Sequence, residues 1–99
     1  MVAADAVVFH VVVEGLVQGL GYRVFARRAA LRLGVTGWAR NRFDGAVEAL
    51  LVGATADVEA LIAELRRGPI GAEVTRLRVA PRAAAEGAGV AGFVIRSTA

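Results

Sequence analysis

Cysteine is absent from this sequence of 99 residues, which excludes disulfides, thiolate metal sites and a cysteine nucleophile. Histidine occurs once, as His10, too few for an imidazole-based zinc site. Lysine is missing as well: all 12 cationic residues are arginine, set against 9 acidic residues for a net charge of +3. Without lysine or cysteine to hold it down, the pI rises to about 11.0, so pI alone says little about partners. Long apolar runs are also lacking. Val7–Val13, near the N-terminus, contains His10 and follows Asp5, and it is too short for a bilayer span and lacks the basic flank of a leader. A strand is expected there, in a cytoplasmic protein that acts as a monomer.

What is present is material for a core. The 57% hydrophobic content, mostly Ala, Val and Leu, suits one compact domain over residues 1–99, burying about 60–70% of the unfolded surface. Disorder is excluded, and a separate cofactor domain does not fit. The arginines have two explanations. Ala, Arg, Gly and Val share GC-rich codons, so arginine in place of lysine reflects the genome; alternatively, the guanidinium fork is matched to a phosphate partner, either nucleic acid or a small phosphorylated molecule. The arginines are scattered among Asp and Glu with no basic tail, which weighs against nucleic acid.

Along the chain, Val7, Phe9, Val11 and Val13 give the first strand one apolar face, with His10 and Glu14 on the other. Glycines 15, 19 and 21 break the pattern. From Tyr22 to Leu33 the spacing is helical, with Phe25, Ala29 and Leu33 repeating at four and Gly34 placed to stop it. Val35–Asn41 and Ala46–Val52 form a hairpin around Asp44-Gly45. Thr55 caps a second helix carrying Val58, Leu61, Ile62 and Leu65 on one face, ended by Gly68-Pro69. A strand Val74–Ala80, an Ala/Gly-rich loop Ala83–Gly92 and a short strand Phe93–Ile95 close the chain.

The order β-α-β-β-α-β with a short fifth strand predicts an α+β, ferredoxin-like sandwich, an antiparallel sheet with two helices on one face. In such a split unit the first two strands run parallel with the third between them, so their C-terminal ends share one edge. Arg23, at the start of the first helix, and Asn41, at the end of the second strand, meet there.

The connecting loop carries three glycines within seven residues, Gly15 to Gly21. Curved glycine backbone ahead of a helix N-terminus makes an anion cradle, and Arg23 is placed to close it as a bidentate clamp; the plain alternative is a strand-to-helix turn with an exposed arginine. No Gly-Lys-Ser/Thr ending is present, and Val24 stands where a dinucleotide loop needs Gly or Ala. Asn41 is either a turn residue or, beside a bound phosphate, an amide that aims a water. His10, mid-strand, is expected to be a structurally satisfied histidine, and Phe43 either an exposed hairpin tip or an apolar wall for a ligand.

Three ordered motifs then carry a family resemblance: Gly15, Val17, Gln18, Gly19, Gly21, Tyr22 and Arg23; Leu33, Gly34, Gly37, Trp38, Arg40, Asn41, Asp44, Gly45, Val47 and Glu48; and Gly68, Pro69, Ala72 and Val74. Together the chain resembles the acylphosphatases. The resemblance implies metal-independent hydrolysis of the carboxyl-phosphate bond of small-molecule acyl phosphates, with no cofactor and no nucleic-acid or membrane partner. It further implies that the backbone of Gln18, Gly19, Leu20, Gly21 and Tyr22 binds the substrate phosphate, that Arg23 is the catalytic phosphate-binding arginine, and that Asn41 orients the attacking water. Tyr22, Leu20 and Leu16 depart from the family's usual residues, and Leu16 and Leu20 flank the cradle where substrate preference is set. Other classes share the topology. An RNA-recognition module needs aromatics on its central strands, and Ala46–Val52 has none; a regulatory ligand-binding domain does not explain the loop together with Asn41; a domain of a larger carbamoyl-transfer enzyme lacks a second domain here to receive its product.

Overall fold

Alternating β-branched residues favour extended backbone, and apolar residues repeating at three and four favour helices; the computed structural model, which describes residues 6–99, follows both periods. The elements are β1 (Ala6–Leu16), α1 (Tyr22–Leu33), β2 (Thr36–Asn41), β3 (Val47–Ala54), α2 (Thr55–Arg67), β4 (Glu73–Pro81), α3 (Ala84–Gly87) and β5 (Phe93–Ile95). Among the described residues they build an α+β fold around a five-stranded sheet in the order β4-β1-β3-β2-β5, the ferredoxin-like arrangement with an added edge strand.

Several element boundaries differ from expectation, among them β2, which begins at Thr36 instead of Val35, and β3, which runs Val47–Ala54 instead of Ala46–Val52. β1 continues past Val13 because an irregularity between Glu14 and Gly15 absorbs the glycine, whose φ of +125° is inaccessible to most residues. The N-cap of α2 is Ala54, with Thr55 as the first helical residue. β4 runs one residue further at each end, Glu73–Pro81, since pairing with β1 extends to both. Within the expected loop Ala83–Gly92 a single helical turn, α3, forms.

The register fixes the geometry that matters. Val47 of β3 is the antiparallel partner of both Val13 in β1 and Asn41 in β2. The first two strands therefore run parallel, with Val13 and Asn41 level in the sheet, and β1 continues from there to Leu16 along β4. Odd-numbered residues Val11, Val13, Val47, Ala49 and Leu51 join one core cluster with Ala26, Ala29 and Ala30 of α1 and Val58, Leu61 and Leu65 of α2. Even-numbered Val8, Leu50 and Trp38 form a second, smaller cluster, over which α3 packs so closely that a Cβ on Gly87 would lie 2.8 Å from Val8 Cγ2.

The same even-numbered side holds a polar group whose burial the sequence does not reveal. Glu48 is 7% exposed, yet its carboxylate accepts from His10 Nε2 at 2.7 Å and from Arg40 Nε. Burial alone would raise its pKa, but the hydrogen bonds from His10 and Arg40 outweigh it and hold the carboxyl below its ordinary value. The Arg40 and Arg96 guanidinium groups lie 4.9 and 4.8 Å from the Trp38 ring centroid, favourable cation–π geometry. His10 thus has a structural partner.

Gly37 is the tightest point between β2 and β3. A Cβ there would sit 1.8 Å from the Leu50 carbonyl oxygen, and its φ is +144°. Gly37→Ala is expected to destabilise the fold by about 3 kcal/mol, combining backbone strain with a forced strand shift. Gly53→Ala, where the nearest atoms are 3.7 Å away, should stay within about 1 kcal/mol of the parent. Urea denaturation of the two variants checks the contrast.

Candidate active site

Between β1 and α1 the chain must reverse in a few residues, and the glycines do this. Gly19 and Gly21 have φ of +77° and +75°, the left-handed region in which other residues are strained. Gly21 is the N-cap of α1, with no side-chain cap and no acidic residue in the first turn; the bond from Phe25 N to Gly21 O, 2.9 Å, begins the helical ladder. The first-turn amides that precede it have no acceptor within the helix, and the helix dipole adds positive potential there. Arg23 is the second helical residue. A cation at that position opposes the dipole, and among the described residues no carboxylate pairs with Arg23, whereas Arg32, Arg40, Arg42, Arg78 and Arg82 each face one. Two positive features left uncompensated in one place are what an anion site requires.

The loop is anchored on two sides. Tyr22 is 2% exposed; its hydroxyl donates to the Leu65 carbonyl of α2, and burial raises its pKa far above the ordinary phenol value. It holds the helix start in place and remains neutral. Gln18 reaches the other way: its Nε2 donates to the Arg42 and Ala46 carbonyls, both at 2.8 Å. Those carbonyls belong to the base of the β2–β3 turn, which is closed by Arg42 N to Ala46 O at 2.8 Å and by Asp44 Oδ1 accepting from Ala46 N at 3.0 Å. One side chain therefore ties the glycine loop to the turn that follows Asn41.

Asn41 is half-buried at the end of β2. Its backbone carbonyl accepts from Ala99 N at 3.1 Å, while no partner for its side-chain amide is found among the described residues. A cavity of about 120 Å³ brings Gly19, Gly21, Tyr22, Arg23 and Asn41 together, with Val17, Val24 and Ile95 completing its walls. Gln18 and Leu20 are not among its lining residues: the Gln18 amide is committed to the turn, and Leu20 lines an adjacent groove. Ile95 was not identifiable from sequence, because it arrives through the parallel pairing of β5 with β2, opposite Ala39. Val17, one of three apolar residues among the loop glycines with Leu16 and Leu20, is fully buried. Phe43 is 85% exposed and belongs to neither the cavity nor the groove, which identifies it as a hairpin tip. Leu16 is likewise exposed.

Comparison with known proteins places this geometry in context. A family model described as acylphosphatase matches residues 9–95. A curated acylphosphatase of Rhizobium etli is 56% identical over 63 residues, 64% of this chain and 67% of that protein. One of Acidovorax sp. is 47% identical over 87 residues, 88% of this chain and 90% of its own length. Among solved structures, the acylphosphatase of Bacillus subtilis superposes with a TM-score of 0.86 at 30% identity, covering 91% of this chain and 98% of that one.

Proposed function

This chain belongs to the acylphosphatase family, enzymes that hydrolyse acyl phosphates, and from that premise we propose how its own residues carry out the reaction. The phosphoryl group sits in the cavity at the shared strand ends, bound by backbone amides of the Gln18–Tyr22 loop and by the first-turn amides of α1, with Arg23 as a bidentate clamp on its oxygens. Asn41 accepts a hydrogen bond from a water through its side-chain oxygen and aims that water at phosphorus, opposite the acyl oxygen. The new P–O bond forms as the bond between phosphorus and the acyl oxygen breaks. The electron pair leaves on the carboxylate, and the water proton passes to a phosphate oxygen, so the products are carboxylate and inorganic phosphate.

The observation that carries this reading is the meeting of an unpaired Arg23 and an unpartnered Asn41 amide in one small cavity beside an uncapped helix start. The chemistry suits so spare a site. A carboxylate, with a conjugate acid of pKa about 4, departs without a strong general acid, which leaves positioning and charge stabilisation as the work to be done. Arg23 and the oriented amides supply the positive charge, so the proposed reaction requires neither a metal nor another cofactor. The framework we take for it is a single domain acting as a cytoplasmic monomer, with α1 and α2 both covering the odd-residue face of the sheet. The partner is a small acyl phosphate, not nucleic acid or membrane: the arginines away from the cavity are scattered along the chain, five of those eleven pair with carboxylates, and the Trp38 ring already carries two guanidinium groups.

The test is hydrolysis of acetyl and benzoyl phosphate with a chelator present and ¹⁸O-labelled water. Phosphate release that is insensitive to chelator, with the label in phosphate and none in the carboxylate, is the expected result. Label in the carboxylate would place the attack at carbon and overturn the role given to Asn41.

A further inference from the structure

The cavity of about 120 Å³ is roughly four times the ~30 Å³ that one water occupies in the liquid. A phosphoryl group with its attacking water fills it, so the acyl portion of any substrate larger than the smallest must lie outside. Next to it, alongside α1, lies a groove of about 720 Å³, and Gly21 and Val24 line both concavities. The groove has apolar walls formed by Leu20, Val24, Phe25, Ala29 and Pro69, and Arg28 and Arg32 stand further along α1. The two arginines differ. Arg32 is paired with Glu64 across the groove, whereas Arg28 is exposed and faces no carboxylate partner among the described residues.

From the hydrolase reading above, we propose that this groove seats the acyl group and that Arg28 selects acyl phosphates whose short chain ends in a second anionic group. Distance supports the assignment. Gly21 to Arg28 spans about 10 Å at ~1.5 Å per helical residue, and long helical side chains lean back toward the N-terminus. The remaining gap between the phosphate position and the guanidinium is that of roughly a four- or five-carbon diacid. The apolar walls cover the methylenes, and the far carboxylate meets an arginine that no acid on the protein already occupies.

The test compares kcat/KM for glutaryl phosphate with that for acetyl phosphate, which is too short to reach Arg28. The ratio is measured in the parent chain, in Arg28→Ala, Arg28→Lys and Arg28→Glu, and in Arg66→Ala at the distant end of α2. Alanine is a better helix former than arginine, so the Arg28→Ala chain folds. The ratio should fall about fivefold in Arg28→Ala, the discrimination that an exposed ion pair supplies, and further in Arg28→Glu. It should stay within about twofold of the parent in Arg28→Lys and Arg66→Ala, and the parent's preference should shrink as salt is raised. A ratio unmoved by Arg28→Ala and Arg28→Glu, with both substrates still hydrolysed, overturns the groove assignment and leaves the hydrolase reading intact. Failure of the parent chain on both substrates overturns the hydrolase reading and this one with it.

Discussion

Replacing Arg23 with alanine is expected to lower kcat/KM for acetyl phosphate by about 10² to 10³, the usual cost of removing one charge-stabilising donor, and to weaken inhibition by inorganic phosphate. Stability should move the other way or not at all. Arg23 sits in the first turn of α1 with no acidic partner, so its removal relieves a cation held against the helix dipole and introduces a better helix former, together worth up to about 1 kcal/mol. A residue retained for the fold would show the opposite pattern, with stability falling alongside activity. Arg23→Lys keeps the charge but loses the planar fork, and its activity should lie between the two. Steady-state kinetics together with urea denaturation on one preparation read both effects; near-parental activity in Arg23→Ala overturns the assigned role.

The second large effect is expected at Asn41. Asn41→Ala should reduce kcat by about 10² or more, because a water free to wander loses much of the advantage of proximity, while the inhibition constant for inorganic phosphate stays within about twofold of the parent. The separation of turnover from phosphate binding is the diagnostic feature. The ladder contact with Val47 and the bond from Ala99 use only Asn41 backbone, so the side chain can be exchanged without removing them. Asn41→Asp provides the complementary case: a carboxylate facing a phosphate repels it, so phosphate affinity and turnover should fall together. Full turnover in Asn41→Ala would remove the residue from the mechanism.

Much of this architecture was legible because it is encoded locally. The Asp44-Gly45 turn, the α1 stop at Gly34 and the alternation of β1 each depend on residues adjacent in sequence. Gly34 is the left-handed C-cap of α1, its N–H directed at the Ala30 and Leu31 carbonyls, as its place after an apolar repeat implies. The meeting of Arg23 with Asn41 was legible one level up, from topology, since a split β-α-β unit brings those two ends to one edge. What escaped depends on contacts between distant residues. Glu48 is a carboxylate whose burial depends on pairing with His10 and Arg40 from the neighbouring strands. Gln18 sits in a motif that suggests ligand contact, but its amide is used to join loop to turn. Phe43, an aromatic at the hairpin tip, is largely exposed and lines neither the cavity nor the groove.

The joint partnership of Val47 with Val13 and Asn41 has a consequence for how activity is acquired during folding. The proposed catalytic pair lies eighteen residues apart in sequence, yet β1 and β2 are not paired with each other; each is positioned through β3, which follows both. The stretch that already contains Arg23 and Asn41 holds no ruler to bring them level. Closing that long-range arrangement incurs chain-entropy costs before its contacts offset them, so competence arrives with the completed sheet and not with either half of it.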